Sequence, residues 1–119
     1  MRNYLIQNPM IRARNYRLAS QQERNPKLYE RLMIEEFWEF LSALTLEEKL
    51  KEAADLIVVI FGWAEAENVD LSDALERVYH NNFRRMVQDD GNVHFREDGK
   101  VLKNPSVEKV DLSDLVRKE

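Results

Sequence analysis

The sequence predicts an all-α protein, an antiparallel bundle of about four helices followed by an ordered C-terminal loop. Only three glycines and three prolines occur in 119 residues, which argues against a β protein with many tight turns. Four segments open with residues that cap helices, and long apolar, helix-forming stretches follow two of them. The chain length suits one compact core, so we expect a single domain over residues 1–119.

Two Asn-Pro pairs predict the first two helices. The side chains of Asn8 and Asn25 can each accept a hydrogen bond from the first turn of a helix. The proline that follows each asparagine fits the first helical position, where no N–H is needed. We therefore expect helix 1 over residues 9–20 and helix 2 over residues 26–44.

Helix 3 is predicted to begin at residues 45–48, whose sequence Thr-Leu-Glu-Glu has the spacing of a capping box. It is expected to extend to Glu67. The link to helix 2 is very short, so these helices should pack as an antiparallel hairpin. Residues 56–63 are apolar nearly all round, and such a helix needs cover on more than one side. We therefore expect a homodimer or homotetramer built through helix 3.

Local signals also predict the fourth helix and the tail. Either Asp70 or Ser72 caps helix 4, which is expected to end at about Val87. Residues 89–92 and 97–100 are rich in Asp, Asn and Gly, which favour turns. The apolar residues between and after these segments predict either a short hairpin or an ordered loop.

The composition excludes several kinds of site. The chain has no cysteine, so disulfides, thiolate metal sites and cysteine nucleophiles are excluded. Its two histidines, His80 and His94, are too few and too far apart for a typical zinc site. Neither follows a glutamate by three residues, as a di-iron carboxylate bundle requires. The sequence also lacks the Asp-x-Asp-x-Asp-Gly pattern of a calcium loop.

Charge and hydropathy indicate the setting and the partners. A net charge of −4 combines an acidic centre with basic residues towards both ends, which suits a metal site that also binds an anion. No basic stripe with interleaved aromatics indicates a nucleic-acid partner. The longest apolar run, residues 56–64, is far shorter than the roughly 20 residues of a membrane span, and the N-terminus lacks the apolar core of a signal peptide. We expect a cytoplasmic protein without membrane or nucleic-acid partners.

Two carboxylate pairs are the most informative feature of the chain. Glu36 and Glu39 share one face of helix 2, and Glu52 and Asp55 share one face of helix 3. In an antiparallel hairpin the pairs can face each other, because only twelve residues separate them. Like charges so placed repel, and their burial is costly without compensation. We expect these four residues to bind a divalent cation, Mg²⁺ or Mn²⁺, since such ions take carboxylate oxygens.

These residues resemble the signature of a known superfamily. Together with Glu35 they form the pattern Glu-Glu-x-x-Glu, followed after twelve residues by Glu-x-x-Asp. That pattern is similar to the motif of the all-α nucleoside triphosphate pyrophosphohydrolases, which include MazG-like proteins, dimeric dUTPases and phosphoribosyl-ATP pyrophosphohydrolase. Residues 82–85 and 96–105 resemble a segment of the phosphoribosyl-ATP pyrophosphohydrolase-like and MazG-like dUTP-hydrolysing members.

The resemblance implies cleavage of a nucleoside triphosphate between its α and β phosphates, giving the monophosphate and diphosphate. The role that the resemblance implies for the protein is nucleotide-pool cleaning, with dUTP or another deoxynucleoside triphosphate as substrate. The alternatives are a phosphoribosyl-ATP pyrophosphohydrolase-like enzyme and a non-catalytic helical interaction module. Glu35 or a metal-binding neighbour such as Glu36 would accept the proton of the attacking water. The implied substrate-binding residues are Asn82, Arg85, Lys100 and Lys103.

Three positions depart from the family pattern. Arg84 stands where serine is usual, Tyr79 where relatives often have histidine, and Asn104 where glycine is common. These positions belong to the phosphate and nucleoside side of the expected site, whereas the metal motif is intact. The departures therefore bear on the identity of the substrate.

Overall fold

Four α-helices make up most of residues 8–116, the part of the chain that the computed structural model describes. They are α1 (Pro9–Ala19), α2 (Pro26–Ser42), α3 (Leu46–Glu67) and α4 (Leu71–Arg85), and a 3₁₀ turn follows at Ser113–Leu115. The described residues form no strand, and their β pairing is limited to two isolated bridges. The prediction of an all-α protein with four helices is confirmed.

The first two helices begin at the predicted Asn-Pro pairs. The Asn8 side chain accepts a hydrogen bond from the N–H of Met10. In the same way, the Asn25 side chain accepts one from the N–H of Leu28. Each cap satisfies a backbone donor that has no partner within its helix, which fixes where α1 and α2 begin.

The capping box at the start of α3 is also confirmed. The Thr45 side chain accepts a hydrogen bond from the Glu48 N–H at 3.1 Å. The Glu48 carboxylate accepts one from the Leu44 N–H at 3.2 Å, one residue further back than in the usual box. At the other end, Asn68 terminates α3 in the left-handed conformation (φ 59°), which asparagine tolerates better than most residues.

Helices α1, α2 and α4 end one or two residues before their predicted ends, whereas α3 ends at Glu67 as predicted. Ala43 is already extended (ψ 139°), because the chain must reach the extended backbone that Thr45 has as the N-cap of α3. Helix α4 stops at Arg85 because Val87 forms an antiparallel bridge with Val93. At its start, α4 begins at Leu71, directly after one of the two predicted caps.

The chain divides into two compact units, Met1–Ser72 and Asp73–Glu119. In the first unit, α2 packs along α3, and α1 also packs against α3. The α2–α3 hairpin is antiparallel: Lys49 contacts Phe40 near the turn, and Tyr29 lies against Gly62 at the far end. The expected single domain over residues 1–119 stays a prediction.

In the second unit, the tail after α4 is an ordered loop with two tight turns. Gly91 (φ 86°) and Gly99 (φ 95°) have a positive φ, which glycine adopts readily because it has no Cβ. A second antiparallel bridge joins Phe95 and Val101 across the later turn. Of the two predicted alternatives, the tail is therefore closer to an ordered loop with two short turns than to a regular hairpin.

Asn104 lies at the centre of this loop and is only 4% exposed. Its backbone N–H donates to the Arg85 carbonyl at 2.7 Å, and its side-chain amide donates to the Val87 carbonyl and to Asp89 Oδ1, both at 3.0 Å. Its side-chain oxygen accepts from the Ser106 N–H at 2.8 Å. A buried amide with all these partners holds the tail against the end of α4.

Candidate metal centre

Three carboxylates from two helices meet in the first unit. Glu36 and Glu39 lie one turn apart on α2, and Glu52 faces them from α3. One carboxylate oxygen from each lies within 4.8 Å of the others. The antiparallel packing of α2 and α3 produces this arrangement, because residues near the end of α2 then meet residues near the start of α3. Three of the four predicted metal ligands are thus close together.

The cluster carries more negative charge than its surroundings offset. Burial, followed by the charges of Asp55 and Glu52, raises the pKa of Glu36. A hydrogen bond to Glu52, followed by the charge of Glu36, raises the pKa of Glu39. The buried oxygens Glu36 Oε2 and Glu52 Oε2 have no hydrogen-bond partner. These features fit a hard divalent cation, which binds carboxylate oxygens and would remove the repulsion.

Asp55, the fourth predicted ligand, is paired with a lysine. Its Oδ2 lies 2.7 Å from Lys51 Nζ, and the same ammonium lies 3.4 Å from Glu52 Oε1. These carboxylates raise the pKa of Lys51, chiefly through the hydrogen bond with Asp55. Asp55 does not belong to the group of three converging oxygens. Its role as a metal ligand stays a prediction.

Glu35 also lies outside the converging group. Its side chain is exposed on α2, immediately before Glu36. Solvent therefore reaches its carboxylate, which a group that accepts a proton from water requires. The assignment of Glu35 as the catalytic base stays a prediction.

The predicted substrate-binding residues lie in the second unit. Asn82, Lys100 and Lys103 line one cavity of about 280 Å³. Two aromatic rings, Tyr79 and Phe83, line the same cavity. Lysines beside aromatic rings suit a ligand with both anionic and planar parts.

Arg85, the fourth predicted substrate-binding residue, has a different position. It is half-buried and does not line that cavity. Its Nε donates to the Asn104 carbonyl at 3.3 Å, and its own carbonyl accepts from the Asn104 N–H. These bonds join α4 to the tail and give Arg85 a structural role.

A larger cavity of about 430 Å³ lies between α1, α2 and α3 in the first unit. Its walls are mainly apolar, with Arg12 and Tyr16 on the α1 side and Leu32 and Val59 on the hairpin. Leu32 lies one turn before Glu36, and Val59 one turn after Asp55, so the cavity adjoins the carboxylates along both helices.

This cavity was not predicted from the sequence, although α1 carries a signal for it. Pro9, Arg12, Ala13 and Tyr16 all line the cavity and recur at intervals of three and four residues, which places them on one face of α1. That face mixes apolar, aromatic and cationic side chains. A helix face of this kind is typical of a ligand-binding wall as well as of a core.

A buried ion cluster was also missed. Glu65 on α3 is 5% exposed. Its carboxylate pairs with the Nε of Arg17 and with Arg24 at 3.0 Å, and Arg24 Nε donates to the Glu65 carbonyl at 3.1 Å. These bonds fasten α1 and the segment after it to α3, and thereby hold one wall of the cavity in place. No local sequence pattern pairs residues so far apart in the chain.

Comparison with known proteins places the chain in a class of hydrolases. The family model for phosphoribosyl-ATP pyrophosphohydrolase matches residues 11–82, more than half of the chain. The chain therefore belongs to the phosphoribosyl-ATP pyrophosphohydrolase family, which is part of the all-α nucleoside triphosphate pyrophosphohydrolase superfamily. The predicted resemblance to the all-α nucleoside triphosphate pyrophosphohydrolases is thus confirmed.

The matched region includes some of the predicted site residues and excludes others. It contains every acidic residue of the metal centre and ends at Asn82, so Arg85, Lys100 and Lys103 lie outside it. Members of the family hydrolyse acid anhydrides and typically depend on a divalent metal ion. A search of curated proteins gives no significant match. Within residues 8–116, no helix is long and apolar enough to cross a membrane.

Proposed function

We propose that this protein hydrolyses a nucleoside triphosphate to the monophosphate and diphosphate with the help of Mg²⁺, which Mn²⁺ can replace. Its substrate is dUTP or another deoxynucleoside triphosphate, and its role is to clean the nucleotide pool. The observation that carries the proposal is the convergence of Glu36, Glu39 and Glu52 within 4.8 Å, with two buried oxygens that lack partners. A helical scaffold without a catalytic role gains nothing from such repulsion.

Glu36, Glu39 and Glu52 would hold the metal ion, with Asp55 as a further ligand. A divalent ion bound there supplies charge that neutralises the triphosphate and lowers the pKa of a bound water. The chain itself supplies the rigid placement of these oxygens, because they project from two packed helices and not from loops. Such placement matters more for phosphoryl chemistry than any covalent contribution from the protein.

Two glutamates are candidates for the proton acceptor. Glu35 is exposed and reachable by water, so its carboxylate can take the proton of the attacking water as it forms the new P–O bond. Glu36 is the alternative, because its carboxylate belongs to the converging group that would hold the metal ion and so lies close to any water bound there. Substitution of each by glutamine separates the two roles, since only Glu36 lies in the converging group.

The cavity between α1, α2 and α3 is our proposed pocket for the nucleoside part of the substrate. Its volume of about 430 Å³ falls in the range of small-molecule sites. The apolar walls suit a planar base, and Tyr16 adds an aromatic face. One helical turn, about 6 Å, separates the lining residue Leu32 from Glu36. A bound nucleotide could therefore place its base in the cavity and its phosphates at the carboxylates.

The second candidate substrate is phosphoribosyl-ATP. The description of the matched family favours it, since that family is named for this reaction. The same carboxylates would serve either substrate, because both reactions break a bond between the α and β phosphates. The non-catalytic interaction module remains the rival of another class, and the metal and activity measurements below separate it from both enzymes.

We also propose that the protein is a homodimer or homotetramer that associates through α3 and the turn before it. Leu44 is 93% exposed, Leu46 83% and Leu50 70%, which leaves a large apolar surface without cover in a single chain. Light scattering after size exclusion should give at least twice the monomer mass. Leu50→Glu should yield the monomer if this surface is the interface.

The test of the function is a substrate panel. The protein is incubated with Mg²⁺ and with dUTP, other deoxynucleoside triphosphates, ribonucleoside triphosphates or phosphoribosyl-ATP, and diphosphate release is measured. We expect release from one or a few substrates and its loss in Glu36→Gln. Glu47→Gln is the matched control, because Glu47 is an exposed glutamate in the first turn of α3 outside the cluster. No release from any substrate, with melting unaffected by metal, would favour the interaction module.

A further inference from the structure

A lysine side chain reaches the carboxylates of the metal centre from the solvent side. Lys51 Nζ lies 2.7 Å from Asp55 Oδ2 and 3.4 Å from Glu52 Oε1. The Lys51 side chain is 67% exposed, whereas that of Glu52 is 15% exposed. The ammonium therefore contacts the acidic cluster while most of the side chain stays in water.

The contact determines where the Asp55 carboxylate lies. Lys51 and Asp55 are four residues apart on α3, so the helix itself brings the two groups together. Asp55 is also the predicted metal ligand that stands outside the converging group. A metal ion that recruits Asp55 must compete with the ammonium for its carboxylate.

The charge of Lys51 also acts on the other glutamates. Glu52, which the ammonium contacts, belongs to the same converging group as Glu36 and Glu39. The ammonium thus offsets part of the repulsion among the clustered carboxylates. A divalent ion at the same place would offset it more strongly, because it carries twice the charge.

We propose that Lys51 is a positioning residue of the metal-free site. Its ammonium holds the Asp55 carboxylate in place and must be displaced when a divalent ion binds. The proposal rests on the metal site proposed above. Lys51 then stabilises the metal-free protein and weakens metal binding, because the same ammonium–carboxylate contacts produce both effects.

Lys49 provides a matched control on the same helix. Its Nζ donates to the Phe40 carbonyl at 2.9 Å and lies 4.8 Å from the centre of the Phe40 ring. Lys49→Gln removes the same charge from α3 without removing a contact to a carboxylate. It therefore separates a specific effect of Lys51 from a general change in net charge.

The experiment measures melting temperature and Mn²⁺ binding. Wild type, Lys51→Gln, Lys51→Arg and Lys49→Gln are melted in EDTA and in saturating Mn²⁺, and their Mn²⁺ dissociation constants are determined by calorimetry. We expect Lys51→Gln to melt below wild type in EDTA and to approach it in Mn²⁺. Its dissociation constant should be about two- to fivefold smaller, the usual range for loss of one exposed ion pair. Lys51→Arg, which keeps the charge, should behave as wild type.

The outcomes separate this proposal from the metal site itself. If wild type and Lys51→Gln bind Mn²⁺ equally, or if Lys49→Gln tightens binding as much, the role of Lys51 is overturned and the metal site stands. If neither wild type nor Lys51→Gln binds Mn²⁺, the metal site and the inference fall together. Binding by Lys51→Gln alone would support the inference, since it would show that the lysine excludes the ion.

Discussion

The ring of Tyr29 lies on the backbone of Gly62, so that a methyl group at Gly62 would be 2.8 Å from Tyr29 Cδ1 and would overlap the ring. The absence of a side chain at position 62 therefore lets α2 and α3 approach closely at this end of the hairpin. The ring also borders the 430 Å³ cavity, and the Tyr29 hydroxyl donates to Gln22 Oε1 at 3.2 Å.

We expect Gly62→Ala to lower the free energy of unfolding by about 1–3 kcal/mol, because overpacking outweighs the better helix propensity of alanine. Urea denaturation measures the change. In a Tyr29→Ala background the same substitution should be neutral or stabilising, since the ring that it overlaps is gone. Equal destabilisation in both backgrounds would contradict this packing relationship.

The ion cluster around Glu65 yields a second prediction. Glu65→Ala should lower the free energy of unfolding by about 1–3 kcal/mol, as expected for lost hydrogen bonds to charged groups. Larger losses are typical of fully buried pairs, but Arg24 is partly exposed and can be rehydrated. Glu67→Ala is the matched control, because Glu67 is an exposed acid two residues further along α3. A similar loss in both variants would show that the ion cluster is not the cause.

The pKa directions of the clustered glutamates predict how stability depends on pH. The pKa of Glu36 and of Glu39 is raised above the ordinary 4.5 in the folded protein, so the fold favours their protonated forms. Their contribution to stability is therefore present below pH 4.5 and is lost as the pH rises through the raised values. In EDTA the melting temperature should fall as the pH rises from 4.5 towards neutrality.

Glu36→Gln tests that prediction. The variant should show a smaller fall in melting temperature over the same pH range, because glutamine does not titrate. Carboxyls with a lowered pKa, such as Asp89, stabilise the fold above pH 3.8 and lose that contribution only at lower pH, so they do not affect the slope in this window. In Mn²⁺ the trend should reverse, since metal binds the deprotonated carboxylates. An unchanged pH slope in Glu36→Gln would contradict the prediction.

Filling the cavity should impair binding of the nucleotide. Ala13→Phe adds a ring to the α1 wall, so we expect the KM for the best triphosphate substrate to rise about tenfold or more, equivalent to about 1.4 kcal/mol of binding. Hydrolysis of inorganic triphosphate, which has no base, should change little. Ala19→Phe is the control, because it places the same ring at an exposed position at the end of α1. An unchanged KM in Ala13→Phe would place the base elsewhere.

Features that depend on neighbouring residues could be predicted from the sequence. The caps at Asn8, Asn25 and Thr45 act over two or three residues, and all three helices begin where these residues predict. The short connection between α2 and α3 likewise determines that Glu36 meets Glu52. These predictions need only helix geometry and chain connectivity.

Features that depend on distant pairs could not be predicted in this way. Glu65 and Arg17 are separated by 48 residues, and nothing in either segment identifies the other as its partner. The pairing of Lys51 with Asp55 could have been predicted, since their four-residue spacing on a helix is visible in the sequence. The metal-ligand pattern of the carboxylates does not itself indicate that a lysine of the same helix is their partner.

The position of Asn104 has a consequence for biosynthesis. Several of the bonds that hold the tail run from this residue back to the carbonyls of Arg85 and Val87 and to the Asp89 carboxylate. A growing chain therefore exposes α4 and both tail turns before the residue that secures them has been made. Until residue 104 leaves the ribosome, none of these bonds can form, and a nascent chain stopped before that point lacks all of them.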